Sequence, residues 1–208
     1  MKVVFDICGT LYDSNTTLDF CQWRVKNIWH RCFLIFLRSK LVAACNKFTS
    51  FFWKTDLIPV RKIFIKTLRG TPKSTLYQES VAFVNLYLKD KVRAETLSIL
   101  KEFNSSEVIF VSGTLDCIAY SVAKHFHIST FYSSQLKYDQ SGICSGDLMY
   151  DLLGNKHRLF DAIDVVVTDN LDDVDLCKMA QNAYIVTRSK HRKFWLSQGF
   201  TNMRLLEV

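Results

Sequence analysis

Three short apolar runs, each leading into a polar residue, do most to constrain the fold of this chain. They are residues 3–5 before Asp6, residues 108–111 before Ser112, and residues 163–168 before Asp169. Runs rich in β-branched and aromatic residues predict buried strands. Because helical segments separate these strands, we expect an α/β fold of the Rossmann-like, doubly wound type with a mainly parallel sheet. Right-handed crossovers would bring the three strand ends to one edge of that sheet.

The second half of the chain continues the alternation of helices and strands. Apolar periodicity and turn residues predict, in chain order, a helix over 116–126, a strand over 131–133, a β-hairpin over 135–148, a helix over 154–162, a helix over 176–181, a strand over 183–186, a helix over 189–198 and a strand over 202–206. The hairpin tip is marked by Asp139 and Gly142, which favour a tight turn.

Between the first two strands the chain has a helical texture. We predict helices over 17–38, 40–55, 59–69 and 73–89, and a short helix that ends near Lys101, with Pro59 and Pro72 as boundaries. The predicted domains are therefore an α/β core of residues 1–13 and 102–208 and an all-helical cap of residues 14–101. The cap would lie over the sheet edge that carries the polar strand ends.

The positive charge of the chain is concentrated in the predicted cap. The formal net charge is +7, and residues 14–100 hold 15 Lys and Arg residues against five Asp and Glu residues. A basic region indicates an anionic partner, which can be a phosphorylated substrate, a nucleic acid or a membrane surface. Nucleic acid is not expected, because the basic residues are spread over several helices without a recognised motif. The oligomeric state is left open.

The most apolar part of the cap, Cys32–Leu37, is too short to span a bilayer. A basic amphipathic helix on a membrane surface and a helical bundle with buried apolar faces both fit this segment. Elsewhere, seven scattered cysteines without a C-x-x-C pair argue against a disulfide framework and against a zinc site. With no secretory signal before the first strand, the sequence predicts a cytoplasmic protein.

Four motifs in order make the functional prediction more specific. FDICGT occupies positions 5–10, VSGT 111–114, GNK 154–156 and TDNLDD 168–173. With these motifs the chain resembles the haloacid dehalogenase superfamily, in the phosphoserine-phosphatase-like branch with a helical cap after the first strand. The resemblance implies a hydrolase of small phosphate monoesters that uses Mg²⁺.

The resemblance also implies a role for each motif residue. Asp6 would be the nucleophile that forms an aspartyl-phosphate. Mg²⁺ would be held by Asp6, the backbone carbonyl of Cys8, and Asp169, with Asp173 as a ligand through water or as an orienting group. The phosphoryl group would be bound by Ser112, Gly113 and Lys156, and Lys156 would also steer Asp6.

The chemistry of these residue types agrees with those roles, although each has a simpler interpretation. A carboxylate can form a covalent phosphoryl intermediate when a divalent cation offsets the repulsion between the two anions. Taken alone, Ser112 is equally explained as a helix cap, Lys156 as a surface lysine, and the acidic run 169–173 as a helix N-terminus. The order of all four motifs at strand ends favours the catalytic interpretation.

Cys8 is the one departure from the family pattern. Phosphatases of this superfamily usually have a second Asp here, which protonates the leaving oxygen and later activates water. A thiol is a poor substitute, and nearby anions should raise its pKa further. Three outcomes follow: a slow phosphatase, a phosphotransferase, or a phosphate-binding or membrane-associated protein with little turnover. Alternatively, Cys8 fills a small space and another group acts as the acid, for which Asp13 and Asn15 are weak candidates.

Overall fold

The computed structural model describes residues 1–53 and 56–208, and its centre is a seven-stranded sheet. The strands are β1 (Val3–Phe5), β2 (Val108–Leu115), β3 (Thr130–Tyr138), β4 (Cys144–Tyr150), β5 (Ile163–Thr168), β6 (Ala180–Thr187) and β7 (Met203–Glu207). Their spatial order is β4-β3-β2-β1-β5-β6-β7. All pairings are parallel except that of β3 with β4, which form the predicted hairpin. The predicted mainly parallel α/β fold is confirmed.

The middle strand, β1, carries the first motif between two parallel neighbours. Phe5 is in register with Phe110 of β2 on one side and with Val167 of β5 on the other. This register brings the chain after β1, which starts with Asp6, beside the carboxyl-terminal parts of β2 and β5. The predicted convergence of the three polar positions at one sheet edge follows from this topology.

Both faces of the sheet are covered, as in a doubly wound fold. Val3 and Phe5 belong to the larger apolar cluster, which includes residues of the helices between β1 and β2, whereas Val4 belongs to a second cluster with Trp195. Side chains alternate between the two faces along a strand, so both faces of β1 are buried. This explains why the strand is an uninterrupted apolar run rather than an alternating one.

Six α-helices lie between β1 and β2 in the described part of the chain. They are α1 (Thr16–Arg24), α2 (Ile28–Leu37), α3 (Lys40–Trp53), α4 (Val60–Lys66), α5 (Lys73–Phe83) and α6 (Ala94–Leu100). A π-helical turn over Val84–Leu88 and a 3₁₀ turn over Lys89–Lys91 continue α5. The last two residues of the predicted helix over 40–55 lie outside the described residues.

The predicted helix over 17–38 is wrong, because the chain forms two helices there. Val25 is extended at the end of α1, and the side chain of Asn27 then caps α2 by accepting hydrogen bonds from the N–H groups of Trp29 and His30. An asparagine side chain that pairs with the backbone in this way favours a helix start over a continuous helix.

Three elements of the second half also differ from the prediction. β2 continues through Ser112 to Leu115, with a register shift against β3 after Ser112, instead of ending at Val111. The segment at 154–162 forms only a 3₁₀ helix over Lys156–Leu159. The predicted helix over 176–181 is α8 (Val174–Lys178), because β6 begins at Ala180. The two remaining helices, α7 (Asp116–His125) and α9 (Ser189–Leu196), lie where they were predicted.

Within residues 1–53 and 56–208, no helix is both long enough and apolar enough to cross a lipid bilayer.

Candidate active site

Asp6 lies directly after β1, and its carboxylate is buried. Its N–H donates to the Val167 carbonyl at 2.9 Å, which fixes the backbone against β5. Its Oδ1 accepts from the N–H of Ile7 at 2.6 Å, and its Oδ2 accepts from Nζ of Lys156 at 2.6 Å. Burial raises the pKa of Asp6, and the ammonium of Lys156 opposes that rise. The carboxylate is therefore oriented at both oxygens and depends on nearby cations for its charge.

Lys156 joins Asp6 to Asp173 through a buried ammonium group. Its Nζ donates to Asp173 Oδ2 at 2.7 Å, and only 2% of the lysine side chain is exposed. Thr168, the last residue of β5, donates its hydroxyl to the same Asp173 oxygen at 2.6 Å. Burial on its own lowers the pKa of Lys156, but the two carboxylates raise it above its usual value. The carboxylates therefore favour the charged form of Lys156, and its burial excludes the surface-lysine interpretation.

Asp169 is the first residue after β5, which pairs in parallel with β1. Its Oδ1 accepts from the hydroxyl of Thr10 at 2.8 Å, and Gly9 packs against its carboxylate. Burial, and then the charge of Asp6, raise the pKa of Asp169 to about 7. The ammonium of Lys156 only partly offsets this rise, since Lys156 is shared between Asp6 and Asp173.

This donor set fits a divalent cation such as Mg²⁺. Asp6 and Asp169 offer hard carboxylate oxygens, and the Cys8 carbonyl belongs to the loop between them, which matches the oxygen ligands that Mg²⁺ prefers. Among residues 1–53 and 56–208, no three Asp, Glu, His or Cys side chains lie close enough together to hold a metal. A cation here would therefore need the backbone oxygen and water besides the two carboxylates. Asp173 accepts hydrogen bonds from Lys156 and Thr168, which fits the second of its two predicted roles, that of an orienting group.

Ser112 faces the loop after β1. Its Oγ accepts from the N–H of Cys8 at 3.4 Å and from the N–H of Thr114 at 3.3 Å. Because α7 begins only at Asp116, Ser112 does not cap that helix, and the simpler interpretation of this serine is wrong. The next residue, Gly113, lies within β2, and its carbonyl accepts from Nη2 of Arg61 at 2.7 Å.

The thiol of Cys8 is a poor acid in this environment. Its Sγ lies 3.5 Å from the Ser14 carbonyl, to which it donates. Burial, followed by the charges of Asp6 and Asp169, raises the pKa of Cys8 to about 12. At neutral pH the side chain is therefore a neutral thiol without basic character.

The two other candidate acids have separate structural roles. Asp13 is largely exposed and pairs with Arg93, whose Nη2 lies 2.6 Å from Asp13 Oδ1 while its Nε donates to the Gly9 carbonyl at 3.0 Å. Asn15 caps α1 by accepting from the N–H of Leu18 at 3.2 Å. Both residues line the same cavity as Asp6, but Asp13 alone can carry a proton at its side chain.

A cavity of about 1180 Å³ opens above Asp6, Asp169 and Lys156. Basic side chains reach its walls from the helices between β1 and β2 and from the C-terminal part of the chain: Arg38, Arg61, Lys62, Lys91, Arg93, Arg188, Lys190 and His191. Arg38, Arg61 and Arg93 pair with Asp19, Asp151 and Asp13, which line the same cavity. The other lysine and arginine side chains add positive charge that attracts anions.

Four residues of this arrangement were missed in the sequence. Thr10 and Thr168 stand inside the motifs FDICGT and TDNLDD, so their position beside the acids was a usable signal. Arg61 and Arg93 carried no such signal, because they are two among many basic residues of the helical segment. Arg61 reaches Gly113 and, at 3.1 Å, Asp151 Oδ1, which depends on how the helices fold over the sheet.

Sequence comparison with known proteins identifies no relative: no family model and no curated protein matches this chain. Structure comparison finds solved structures of similar fold. A protein of unknown function from Bordetella pertussis Tohama I has a TM-score of 0.70 at 11% identity, over 98% of this chain and 97% of that one. A HAD family hydrolase from Salmonella enterica subsp. enterica serovar Typhi has a TM-score of 0.61 at 14% identity, over 98% and 66%.

The third structure is a phospho-aspartyl intermediate analogue of phosphoserine phosphatase. It has a TM-score of 0.53 at 14% identity, over 88% of this chain and 85% of that one. At these identities the likeness shows the fold alone. The fold is thus the one found in haloacid dehalogenase-type hydrolases, as the motifs predicted.

Proposed function

We propose that this protein is a Mg²⁺-dependent hydrolase of phosphate monoesters that acts through an aspartyl-phosphate on Asp6. The observation that carries the proposal is the bridge from Asp6 through Lys156 to Asp173 at a buried strand end, with Asp169 beside it. Such a bridge costs desolvation energy that a merely structural role would not require. The likeness to a phosphoserine phosphatase structure supports the same reaction class.

In the first step, an oxygen of Asp6 attacks phosphorus, the bond between phosphorus and the ester oxygen breaks, and the leaving oxygen takes a proton from solvent water to depart as the alcohol. Lys156 and the N–H groups around Ser112 and Gly113 stabilise the negative charge on the phosphoryl oxygens. When bound, Mg²⁺ would supply further positive charge that lets one anion approach another. Asp6, the Cys8 carbonyl and Asp169 would hold it, and Asp173 would keep Lys156 in position.

In the second step, water attacks phosphorus, inorganic phosphate leaves, and Asp6 returns as a carboxylate. A general base would normally take the proton from that water. Cys8 cannot do so at neutral pH, because its pKa of about 12 keeps it protonated. We therefore expect the second step to be slow and phosphorylated Asp6 to accumulate.

The thiol at position 8 also supports a second candidate function. If water is activated poorly, an alcohol whose pKa is lower than that of water can compete with it for the phosphoryl group. The protein would then be a phosphotransferase. The extreme case is a phosphate-binding protein with little turnover. In all three cases the first step on Asp6 is shared.

We further propose that residues 14–101 act as a cap that selects the substrate. Arg38, Arg61, Lys62, Lys91 and Arg93 all belong to this range and line the cavity above Asp6. The core formed by 1–13 and 102–208 would supply the reacting groups. Small phosphorylated molecules fit a cavity with this charge and volume.

The test is a panel of sugar phosphates, phospho-amino acids, nucleotides and lipid phosphates, assayed for phosphate release with and without Mg²⁺. Asp6→Asn should abolish release, whereas Asp175→Asn, which changes an exposed carboxylate of α8, should leave it unchanged. Acid-stable capture of radioactive phosphate on the unmodified protein, but not on Asp6→Asn, would identify the intermediate. Phosphate release by Asp6→Asn at the unmodified rate would refute the proposal.

A further inference from the structure

Helices α2 and α3 expose large apolar side chains to solvent. Trp29 is 80% exposed and Phe51 is 82% exposed. Phe33 and Phe36 of α2 and Leu41 and Phe48 of α3 are exposed as well. We call these six side chains the α2–α3 face. Exposed apolar surfaces of this kind mark sites of interaction with a partner or a membrane.

Each helix turns a narrow strip inward and the broader apolar strip outward. Leu34 and Leu37 are the buried residues of α2, three positions apart, whereas Trp29, Phe33 and Phe36 recur at helical spacing on its outer side. The outer aromatic side chains are therefore a continuous stripe along one side of α2 and not isolated exposures.

The inward side of α3 combines the buried Val42 with two polar side chains whose hydrogen bonds hold the helix in place. Asn46 donates to the Ile58 carbonyl at 2.7 Å and accepts from the Ile58 N–H at 2.9 Å. Thr49 accepts from the N–H of Leu57 at 3.1 Å. Because these bonds fix the rotation of α3 about its axis, the helix cannot turn Phe48 and Phe51 inward without losing them.

The charge around this face is of one sign. No Asp or Glu occurs between Asp19 and Asp56. Arg24, Lys26, Arg31, Arg38, Lys40, Lys47 and Lys54 do occur there; Arg24 pairs with Glu79 and Arg38 with Asp19, each at 2.5 Å, and Lys54 lies outside the described residues. The other four basic side chains are exposed and have no acidic side chain in ion-pair range among the described residues.

Basic residues border the apolar stripe of α3. Lys40 and Lys47 are seven positions apart and so lie on one line along α3, next to Ala44 and Phe51 on the helix surface. Arg31 lies on the side of α2 opposite its aromatic stripe, so the cations at the edge of the α2–α3 face are those of α3. An apolar stripe with cations along its edge is the pattern of helices that lie in the interface of a bilayer containing anionic lipid.

We propose that the α2–α3 face docks the protein on the surface of an anionic lipid bilayer. The aromatic side chains enter the boundary between headgroups and acyl chains, and Lys40 and Lys47 contact the headgroup phosphates. A second copy of this chain is a poorer occupant, because a symmetric contact would bring the same cations together without an acid to offset them. This inference does not depend on the proposed phosphatase activity.

The test is sedimentation of the purified full chain with sucrose-loaded vesicles of phosphatidylcholine, with or without phosphatidylglycerol. We expect binding to the anionic vesicles, weaker binding to the neutral ones, and weakening by salt. Failure of the unmodified protein to sediment with anionic vesicles would overturn the proposal.

The apolar contribution is tested with paired substitutions. Trp29→Ser combined with Phe51→Ser should lower the partition coefficient at least about tenfold, since two large side chains no longer leave water. The control is Leu86→Ser combined with Leu196→Ser, two exposed leucines outside the face, which should leave binding unchanged. No loss in the first pair, or an equal loss in the control pair, would overturn the proposal.

The electrostatic contribution to vesicle binding is tested with a second pair of substitutions. Each basic residue near an anionic surface strengthens binding about fivefold, so Lys40→Ser with Lys47→Ser should weaken it about 25-fold. Lys101→Ser with Lys124→Ser removes the same charge from exposed positions elsewhere and should change binding less than about twofold. Equal effects of the two pairs would show attraction by net charge alone and would refute docking through this face.

Two measurements on the unmodified protein complete the test. Brominated lipids should quench its tryptophan fluorescence, and Trp29→Phe should remove most of that quenching. Sedimentation velocity without lipid should show a monomer. A dimer that Trp29→Ser with Phe51→Ser dissociates would make a second copy the occupant and overturn the proposal.

Discussion

Gly9 and Asp169 are in direct contact: an ideal Cβ on Gly9 would lie 2.2 Å from Oδ2 of Asp169. The backbone of Gly9 also has φ of +77°, a conformation that side-chain-bearing residues adopt at a cost. Both facts follow from the sharp turn that the chain makes after Asp6. The position therefore requires glycine for conformation and for space, and the space is taken by a proposed metal ligand.

Gly9→Ala should accordingly impair metal binding as well as stability. The added methyl group must displace the Asp169 carboxylate, which we expect to weaken Mg²⁺ binding at least about tenfold. Gly70→Ala is the matched control, since Gly70 has φ of +79° and no atom within 4 Å of its ideal Cβ. Calorimetric titration with Mg²⁺ and urea unfolding of both variants separate the effects. Equal Mg²⁺ affinities in the two variants would contradict the prediction.

Cys8→Asp should increase phosphate release. A carboxylate can donate a proton to the leaving oxygen and later accept one from water, and such catalysis contributes about 100-fold to 10,000-fold. Single-turnover assays should show faster decay of the phosphorylated protein. Cys8→Ser keeps the size of the side chain without a titratable group in this range, and should resemble the unmodified protein. A turnover of Cys8→Asp no higher than that of Cys8→Ser would show that another group already acts as the general acid and base.

Mg²⁺ binding should strengthen as the pH rises through about 7. In the metal-free protein the pKa of Asp169 is raised to about 7, so below that pH the cation must displace a proton. Affinity at pH 6 should be about tenfold lower than at pH 8. Isothermal titration calorimetry in buffers of different ionisation enthalpy would count the released proton. An affinity that is equal at the two pH values would contradict the raised pKa.

The raised pKa of Asp169 also makes the stability of the metal-free protein depend on pH. A carboxyl whose pKa is about 7 when folded and 3.8 in its reference state binds its proton more tightly in the folded chain. Its contribution to stability is therefore present at low pH and is lost as the pH rises from about 4 to 7. Adding Mg²⁺ at pH 8 should raise Tm more than adding it at pH 5.5, as thermal unfolding can measure.

Thr168→Val should destabilise the protein through Asp173. It removes a hydrogen bond of 2.6 Å to a buried carboxylate, for which we expect a loss of about 1.5–3 kcal/mol in the free energy of unfolding. Thr96→Val is the control, because Thr96 is equally buried but donates to a neutral carbonyl, that of Thr10, at 3.0 Å. The control should lose about 1 kcal/mol. Equal losses would argue that Asp173 is neutral in the folded protein.

The strands and their polar ends could be predicted because they are local signals. Buried parallel strands are continuous apolar runs, and the runs at 3–5 and 163–168 stood out between helical segments. The parallel order then required Asp6 and Asp169 to meet. The motif at 154–156 predicted Lys156, although nothing in three residues tells that its ammonium is buried between two carboxylates.

The remaining features depend on contacts between distant residues. The break after α1 is an exception, because it rests on the local cap by the side chain of Asn27, a signal that apolar periodicity does not include. The continuation of β2 past Ser112 depends on pairing with β3, and the reach of Arg61 to Gly113 depends on the placement of α4. Such tertiary contacts override local preferences, so no local pattern could have shown them.

The central position of β1 determines when the site can be assembled during synthesis. β1 is made before all the other strands, yet its partners are Val108 to Phe110 and Val165 to Val167. The strand that carries Asp6 therefore has no β2 partner until the helices between β1 and β2 have been made, and Asp6 meets Lys156 only after residue 156 has left the ribosome. Contacts so far apart in sequence form slowly. The nascent chain thus carries an incomplete sheet and the outward aromatic side chains of α2 and α3 together, the condition in which a chaperone or a nearby lipid surface would be of most use to it.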